Sequence, residues 1–429
     1  MIKREILNDL RAHLKEDEIT VIIGPRQVGK TTLMQMLKDE LVRSEEQTLF
    51  FNLDFEPDVY HFQSQQHLIN KIQLEFGHRR GYIFIDEIQR KENAGLFLKG
   101  IYDRKFPYKF IVSGSGSLEL KEKIHESLSG RKRLFELFPV SFEEFIHYKT
   151  NYKYEKNIAD FIEVENQNLK FFLFEYMNFG GYPRIVTEER EEDKRILMEE
   201  IFHSYVEKDL VYFLKIDRPD VFIKLIRLLA IQIGQLVNYS KLSASLGVSV
   251  QTLKKYIWFA QKTFIIDLIN PFFKNYRKEI TKSPVVYFAD LGLRNYAVGQ
   301  MGRYQENEDM GFLFQNFIYN LLKEKVKPFG WHLHFWRTTD KAEVDLIIDQ
   351  FQNQIPVEIK FIDLKRTTIR RSLRSFIEKY HPHQAWVINI SFEDEMIVSD
   401  TRVIFIPYFR LLQNDFRGKM IKEMLNDEF

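Results

Sequence analysis

One octapeptide, GPRQVGKT at residues 24–31, constrains the fold of this chain more than any other feature of its sequence. It fits the pattern GxxxxGK[ST], in which glycines let the backbone curl until its N–H groups and a helix N-terminus point at an anion. The preceding residues 19–23 are mostly apolar, as in a short buried strand, and residues 32–38 are typical of the start of a helix. The octapeptide therefore predicts a phosphate-binding loop between a strand and a helix.

The loop assigns chemical roles to particular side chains. Lys30 is expected to reach the β- and γ-phosphates of a nucleotide, and the Thr31 hydroxyl is expected to hold Mg²⁺. The sequence thus predicts ATP and Mg²⁺ as cofactors, and the predicted nucleotide-binding residues are Gly24, Pro25, Arg26, Gln27, Val28, Gly29, Lys30, Thr31 and Thr32.

A second motif, YIFIDE at residues 82–87, has four apolar or aromatic residues followed by two acids. Such a run suits a central strand of a parallel sheet, which is covered on both faces. Asp86 is expected to join the Mg²⁺ shell, and Glu87 to orient and deprotonate the attacking water. On its own the motif would favour a buried strand ending in two solvated acids, but its position downstream of a phosphate loop favours the catalytic interpretation.

Residues 1–140 alternate strand and helix patterns, which predicts an α/β sheet. Ser113, at the end of the fourth predicted strand, is a candidate sensor of the γ-phosphate, or else part of a plain turn. Arg131 could contact phosphate bidentately, in its own chain or in a neighbouring subunit, and a solvated basic turn is an equally good interpretation. The predicted strands are 19–23, 48–53, 81–86, 108–113 and 133–137.

Composition excludes some classes of function. The chain has no cysteine, which rules out disulfides, thiolate zinc sites and cysteine nucleophiles and fits a cytoplasmic protein. The sequence contains no run of 18 apolar residues, so no membrane span is expected. A net charge of +1 neither favours nor excludes nucleic acid as a partner, and any basic surface must be local.

The central part of the chain predicts two further segments. Residues 141–215 have a helical, aromatic pattern interrupted by GGYP at 180–183, which suits a lid over a nucleotide. Residues 216–278 contain a helix–turn–helix pattern, with Gly247 in the turn, Ser249 as N-cap and residues 263–268 as a wing strand. Its predicted core is Ala244, Leu246, Val248, Leu253 and Ile257, and its predicted polar face is Gln251, Thr252, Lys254 and Lys255. Such a winged helix could read DNA or serve only as a packing unit.

The last segment, residues 279–429, carries AEVDLIID at 342–349 and IPVEIK at 355–360. On adjacent strands these would present Asp345, Glu358 and Lys360, an arrangement in which two carboxylates hold Mg²⁺ and the lysine helps to activate water. A charged hairpin is the alternative.

Residues 365–374 are predicted to begin a basic helix. The stretch from Lys360 to Arg374 contains six basic residues and one acid, and this local excess of positive charge suits contact with a phosphate backbone.

Taken together, these motifs resemble those of the single-chain AAA-type ATPases of bacteria and archaea of the AAA_14 kind. The resemblance rests on GPRQVGKTTL, YIFIDEIQ, SGSGSLEL, LSGRKRLFELFPVSFEEF and GGYPR, while AEVDLII with PVEIK resembles a nuclease-like core. It implies an AAA-like ATPase core, a winged helix and a PD-(D/E)XK-like module. The family pattern places a glutamate where Gln315 stands here, and because an amide ligates Mg²⁺ weakly, this departure argues against cleavage of nucleic acid.

The sequence therefore predicts an α/β protein in four parts: an ATPase core (1–140), a helical lid (141–215), a winged helix (216–278) and a nuclease-like domain (279–429). Its expected function is that of an ATP-hydrolysing, nucleotide-dependent switch. The expected partners are duplex DNA, bound by the winged helix and the 365–374 helix, and further copies of the chain. The alternatives are an ATP-regulated, metal-dependent DNA nuclease and a non-catalytic, ATP-gated module that binds protein.

Overall fold

The computed structural model describes residues 1–115, 128–209, 216–273, 283–305 and 310–412. The chain divides into two compact units. The first unit comprises Met1–Val140, Tyr182–Ile223 and Lys255–Ile265, and the second comprises Ser141–Gly181, Lys224–Lys254 and Ile266–Phe429. The boundary between the units thus passes through two helices, Pro219–Ile231 and Val250–Lys262.

The first unit is built on a five-stranded parallel sheet in the order β2-β3-β4-β1-β5. This confirms the predicted parallel sheet, although β4 is two residues longer than predicted because Gly24 still pairs with Ser115. Every residue of β1, β3 and β4 is buried, as expected of strands with helices on both faces. The strands are β1 Ile19–Gly24, β2 Thr48–Asn52, β3 Gly81–Asp86, β4 Tyr108–Ser115 and β5 Lys132–Glu136.

Helices cover this sheet and bury one apolar core with it. Val21, Ile83 and Val112 on three neighbouring strands are completely buried, and the helices contribute residues such as Leu68 and Leu98. The α-helices of the first unit are Ile6–His13, Lys30–Arg43, Glu56–Val59, Gln65–Phe76, Ala94–Tyr102, Pro183–Thr187 and Glu191–Ile201, followed by a π-helix at Phe202–Asp209. Short 3₁₀ turns occupy Tyr60–Phe62 and Ile88–Arg90.

The second unit contains a six-stranded mixed sheet in the order β12-β13-β11-β10-β9-β8. Strands β8, β9 and β10 form an antiparallel meander, after which the helix Arg371–Tyr380 leads to β11, which pairs with β10 in parallel. A separate antiparallel pair joins β6 to β7. The strands are β6 Ile266–Ile269, β7 Val285–Phe288, β8 His332–Arg337, β9 Glu343–Asp349, β10 Gln354–Ile359, β11 Gln384–Asn389, β12 Asp394–Val398 and β13 Thr401–Pro407.

Aromatic packing assigns the helices 142–179 to the second unit. The Phe142 ring lies 5.1 Å from that of Phe317, and the Tyr408 hydroxyl donates to the Leu169 carbonyl at 3.4 Å. The predicted lid at 141–215 is therefore divided, because only its part after residue 181 belongs to the unit with the phosphate loop. The α-helices of the second unit are Phe142–Lys149, Ile158–Val164, Asn166–Phe179, Tyr239–Leu246, Leu291–Ala297, Gly311–Val326 and Arg371–Tyr380, and its 3₁₀ turns are Lys327–Phe329 and Tyr408–Leu412.

The helix–turn–helix pattern forms locally as predicted. Gly247 ends the helix Tyr239–Leu246 in the left-handed conformation with φ 62°, and the Ser249 hydroxyl accepts the Thr252 N–H at 3.1 Å. Ala244, however, is exposed rather than part of a core, since the buried stripe of that helix runs through Leu242 and Leu246, four residues apart. The winged-helix assignment of the whole segment stays a prediction.

The predicted start of the basic helix, at residue 365, is wrong. The helix begins at Arg371, and Arg370 has an extended backbone with φ −70° and ψ 154°. The cause is a contact with β10, since the Arg370 N–H donates to the Glu358 carboxylate at 3.3 Å instead of to a helical carbonyl. Within the described parts of the chain, no helix has both the length and the apolar character needed to cross a membrane.

Candidate nucleotide site

Two glycines shape the loop that follows β1. A Cβ on Gly24 would collide with the carbonyl oxygen of Leu137, so the strand end requires glycine. Gly29 precedes the helix Lys30–Arg43 with φ 96° and ψ 23°, a left-handed conformation that side chains other than glycine strain to adopt. The 14-residue helix therefore begins directly after the loop. The N–H groups of its first turn are available to bind an anion held by the loop.

Lys30 lies inside this loop. Its ammonium donates to the carbonyl oxygens of Gly24 at 3.1 Å and Pro25 at 2.7 Å, and the residue is only 5% exposed. Burial lowers the pKa of Lys30 to about 8, although the nearby carboxylates of Glu87 and Asp86 oppose the decrease. The loop thus holds a desolvated cation at the position where phosphate oxygens are expected.

Asp86 connects the loop to the neighbouring strands. Its Oδ2 accepts the Thr31 hydroxyl at 2.6 Å, and its Oδ1 accepts the Ser113 hydroxyl. These contacts follow from the strand order, because β4 lies between β1 and β3 and brings Ser113 to the carboxyl edge beside both motifs. A threonine hydroxyl and a carboxylate in contact are two oxygen ligands suited to Mg²⁺. Within the described residues, no group of three or more His, Cys, Asp or Glu side chains could hold a metal by itself.

Glu87 directly follows Asp86 and turns away from the strand with φ 56° and ψ 41°. Burial is the main cause that raises the pKa of Glu87, the Lys30 ammonium opposes that increase, and the Asp86 carboxylate adds to it. A carboxylate with a raised pKa is better matched to accept a proton from water near neutral pH. The geometry therefore places a candidate general base next to the candidate magnesium ligands.

Three contacts around this site involve residues to which the sequence analysis gave no role. Gln89 donates to the Glu87 carboxylate. Arg184, in the GGYPR motif, lies 3.5 Å from the Gln27 side-chain oxygen of the loop and forms an ion pair with Glu200 at 3.1 Å. Arg4 donates to the Val28 carbonyl at 3.0 Å. Only Gln89 and Arg184 carried a sequence signal, since both belong to motifs that the resemblance had singled out.

Arg131 is not brought to this site. Its backbone carbonyl accepts the N–H of Ile19, the first residue of β1, whereas the loop follows the last residue of that strand. A six-residue strand rises about 17 Å from end to end, so Arg131 lies at the opposite edge of the sheet. There its guanidinium forms an ion pair with Asp103 at 2.6 Å. Phosphate contact within its own chain is therefore a wrong interpretation of Arg131.

The second unit brings the other predicted site residues together. Asp345, Lys360 and Gln315 line one cavity of about 480 Å³. The Ile359 N–H donates to Asp345 at 2.7 Å, and burial raises the pKa of Asp345 to about 7. The Gln315 amide donates to the Tyr287 hydroxyl at 2.9 Å.

Glu358, only 3% exposed, is neutralised by neighbouring cations. Its carboxylate forms ion pairs with Lys360 at 3.3 Å and with the Arg370 guanidinium at 3.2 Å. Because both cations would have to be displaced or shared for Glu358 to ligate a metal, the contacts seen here favour a structural role for it. The cavity thus holds Asp345 and Lys360, while Glu358 is paired with two cations, and the metal site that the sequence predicts there stays a prediction.

Three family models each match a part of this chain. Residues 16–146 match the AAA domain family AAA_14, residues 171–326 match a domain of unknown function (DUF8612), and residues 310–409 match another (DUF4143). The first match includes the loop, Asp86, Glu87 and Ser113, so the AAA-type assignment of this region is confirmed. The nuclease-like interpretation of the last region stays a prediction.

Relatives of similar length have been found in bacteria and archaea. An uncharacterized protein of Mycobacterium tuberculosis is 26% identical over 377 residues, which is 87% of this chain and 76% of the relative. One from Haemophilus influenzae is 26% identical over 84% of this chain and 87% of its own, and one from Methanocaldococcus jannaschii is 24% identical over 87% and 81%.

Two solved structures show weak overall likeness. AMPPCP-bound DnaA from Aquifex aeolicus has a TM-score of 0.29 and 14% identity, covering 61% of this chain and 90% of its own. Cdc6p from Pyrobaculum aerophilum has a TM-score of 0.26 and 11% identity, covering 69% and 92%. Scores this low add nothing to the assignment, which rests on the family match, the sheet order and the loop.

Proposed function

We propose that this protein binds and hydrolyses MgATP in its first unit and changes conformation with its nucleotide state. The observation that carries the proposal is the contact of Asp86 with both Thr31 and Ser113, beside the buried ammonium of Lys30. Three chain segments far apart in sequence converge there on one carboxylate. A magnesium ion bound to a nucleotide would need this combination of hydroxyl, carboxylate and cation.

Each residue has a distinct role in the proposal. Lys30 and the loop N–H groups bind the β- and γ-phosphates, while Thr31 and Asp86 hold the Mg²⁺ ion, which neutralises charge on the phosphates. Glu87 accepts a proton from the attacking water. Ser113 contacts Asp86 directly, so a change in the metal shell would move the end of β4.

ATP turnover by the purified full chain tests these roles. We expect Lys30→Ala to abolish ATP binding, and Glu87→Gln to bind ATP within a few-fold of wild type while its turnover falls by about 10²- to 10⁴-fold. The matched control is Glu92→Gln, which removes an exposed acid five residues further on and is expected to leave turnover unchanged. Unchanged turnover in Glu87→Gln would remove that residue from the role of base.

Arg131 enters the proposal as a residue that acts on the nucleotide of a neighbouring copy. Its place at the opposite edge of the sheet favours a role in another copy over one in its own chain, because the loop of its own chain lies at the other edge. Mixing Arg131→Ala with Lys30→Ala tests it: each variant alone lacks one half of a site, so mixed assemblies are expected to recover part of the turnover. No recovery in assemblies shown to be mixed would reject a role in trans.

Duplex DNA is the proposed partner of the switch. Supporting features are the exposed Gln251, Lys254 and Lys255 on one helix, and the guanidinium of Arg370, whose side chain is 61% exposed. Lys and Arg side chains that neutralise phosphates release counterions, so binding must weaken as salt is raised. An affinity for duplex DNA that stays flat between low and moderate salt would reject this contact.

A second candidate function, Mg²⁺-dependent cleavage of DNA, is supported by the cavity shared by Asp345, Lys360 and Gln315. Since the pKa of Asp345 is about 7, any metal affinity there should rise as the pH increases through neutrality. Nicking with Mg²⁺ or Mn²⁺ that is lost in Asp345→Ala but kept in Glu343→Gln would establish it. Intact DNA with both metals in the wild type would reject it.

A further inference from the structure

We propose that Gln89 is a positioning residue for ATP hydrolysis, whose side-chain amide fixes the carboxylate of Glu87. This inference rests on the proposed role of Glu87 as the base. The amide nitrogen of Gln89 donates to Oε2 of Glu87, and its oxygen accepts the Ser115 N–H at 3.3 Å. One side chain therefore bridges the proposed base and the last residue of β4.

The local backbone explains why residue 89 can reach back to residue 87. The backbone of Glu87 has a left-handed conformation, and the 3₁₀ turn Ile88–Arg90 follows it directly. Ile88 anchors this turn, because its side chain is completely buried. This tight turn brings two side chains that are two positions apart onto the same side. Gln89 and Glu87 are both half-buried there, so the contact is shielded from bulk water.

The bridge needs an amide, because its two contacts require opposite hydrogen-bonding character. An amide donates from its nitrogen and accepts at its oxygen, whereas a carboxylate only accepts and a hydrocarbon does neither. Glutamine at position 89 can therefore satisfy Glu87 and the Ser115 N–H at once, and neither Leu nor Glu can do so.

The contact has two consequences for the proposed chemistry. It uses Oε2 of Glu87 and leaves Oε1 to receive the proton from water, which sets the direction of attack. Because β4 also carries Ser113, which binds Asp86, one strand end sets the positions of both acids.

Steady-state kinetics of Gln89→Leu test the proposal. We expect kcat to fall about 10- to 100-fold through misplacement of the base, while KM for ATP and the Kd for AMPPCP stay within about twofold of wild type. The matched control is Gln66→Leu, which removes a surface amide that donates to Asn70 at 2.7 Å and should behave as wild type.

Two further variants separate positioning from folding. Gln89→Glu keeps the size of the side chain and can still accept from the Ser115 N–H, but it cannot donate to Glu87, so its kcat should fall at least as far as that of Gln89→Leu. In the Glu87→Gln background, Gln89→Leu should add no more than about a twofold loss, because Gln89 acts through Glu87.

The outcomes distinguish this inference from the proposed function. An unchanged kcat in Gln89→Leu, or a full further loss on top of Glu87→Gln, would overturn the positioning role. If Glu87→Gln itself retains full turnover, the assignment of the base fails instead.

Discussion

The buried ammonium of Lys30 should make the proposed binding of ATP dependent on pH above neutrality. Its pKa of about 8 means that the free protein holds a substantial neutral fraction above neutrality. Contact with phosphate oxygens favours the charged form, so nucleotide binding must be linked to uptake of a proton. Raising the pH is therefore a perturbation directed at this one side chain.

The magnitude follows from the pKa. With a pKa of about 8, Lys30 is about nine-tenths charged at pH 7, one-half at pH 8 and one-tenth at pH 9. If only the charged form binds, the apparent Kd scales with the inverse of that fraction, so it rises about twofold at pH 8 and about tenfold at pH 9 relative to pH 7.

Equilibrium titration with AMPPCP and Mg²⁺ at the three pH values measures this rise, since the analogue is not hydrolysed. Lys30→Arg should bind more weakly but with the same Kd at each pH, because a guanidinium stays charged throughout. Lys109→Met removes another buried lysine, whose pKa is also about 8, from the opposite edge of the sheet. It should keep the wild-type pH dependence. A wild-type Kd that is flat from pH 7 to pH 9, or an equal rise in Lys30→Arg, would refute the reasoning.

Three other predictions concern single substitutions and their controls. Gly180→Ala should lower the free energy of unfolding in urea by about 3 kcal/mol, because φ is 75° and the new Cβ would meet the Asp290 carboxylate. Gly299→Ala, with φ 69° and open space, should cost only about 1 kcal/mol, and equal losses would contradict the steric argument. Ser113→Ala should lower kcat by at least about tenfold, because Ser113 contacts the proposed Mg²⁺ ligand Asp86. If Mg²⁺ dependence is lost in Ser115→Ala instead, the role of γ-phosphate sensor belongs to Ser115. Arg370→Ala should reduce the salt slope of DNA binding by about 1, and an unchanged slope would remove it from the interface.

The sequence predicted the first unit in most of its detail because its strong patterns are local. Continuous apolar runs specify buried parallel strands, and the loop motif fixes both the end of β1 and the start of the next helix. Lys30, Asp86 and Ser113 could be placed together because carboxyl ends of neighbouring parallel strands share one edge. Arg131 lies away from that edge because it precedes β5, which pairs with β1 in parallel, and this pairing is a long-range contact that one sequence does not display.

Other features depended on contacts between distant segments. The basic helix begins at Arg371 rather than at residue 365, because the Arg370 N–H donates to the Glu358 carboxylate. The predicted lid divides after residue 181 because aromatic side chains such as Phe142 pack on Phe317, far along the chain. Gln89 received no role for a similar reason, since only the left-handed backbone of Glu87 reveals that the two side chains meet.

The measurement that tests the central claim most directly is Mg²⁺-dependent ATP turnover by the full chain, with and without duplex DNA, for the wild type and Glu87→Gln. The DNA from the same tubes is analysed on a gel. The proposal predicts turnover in the wild type that disappears with EDTA and in Glu87→Gln, while the DNA remains intact. A folded wild type that binds no ATP, or equal turnover in Glu87→Gln, would contradict it.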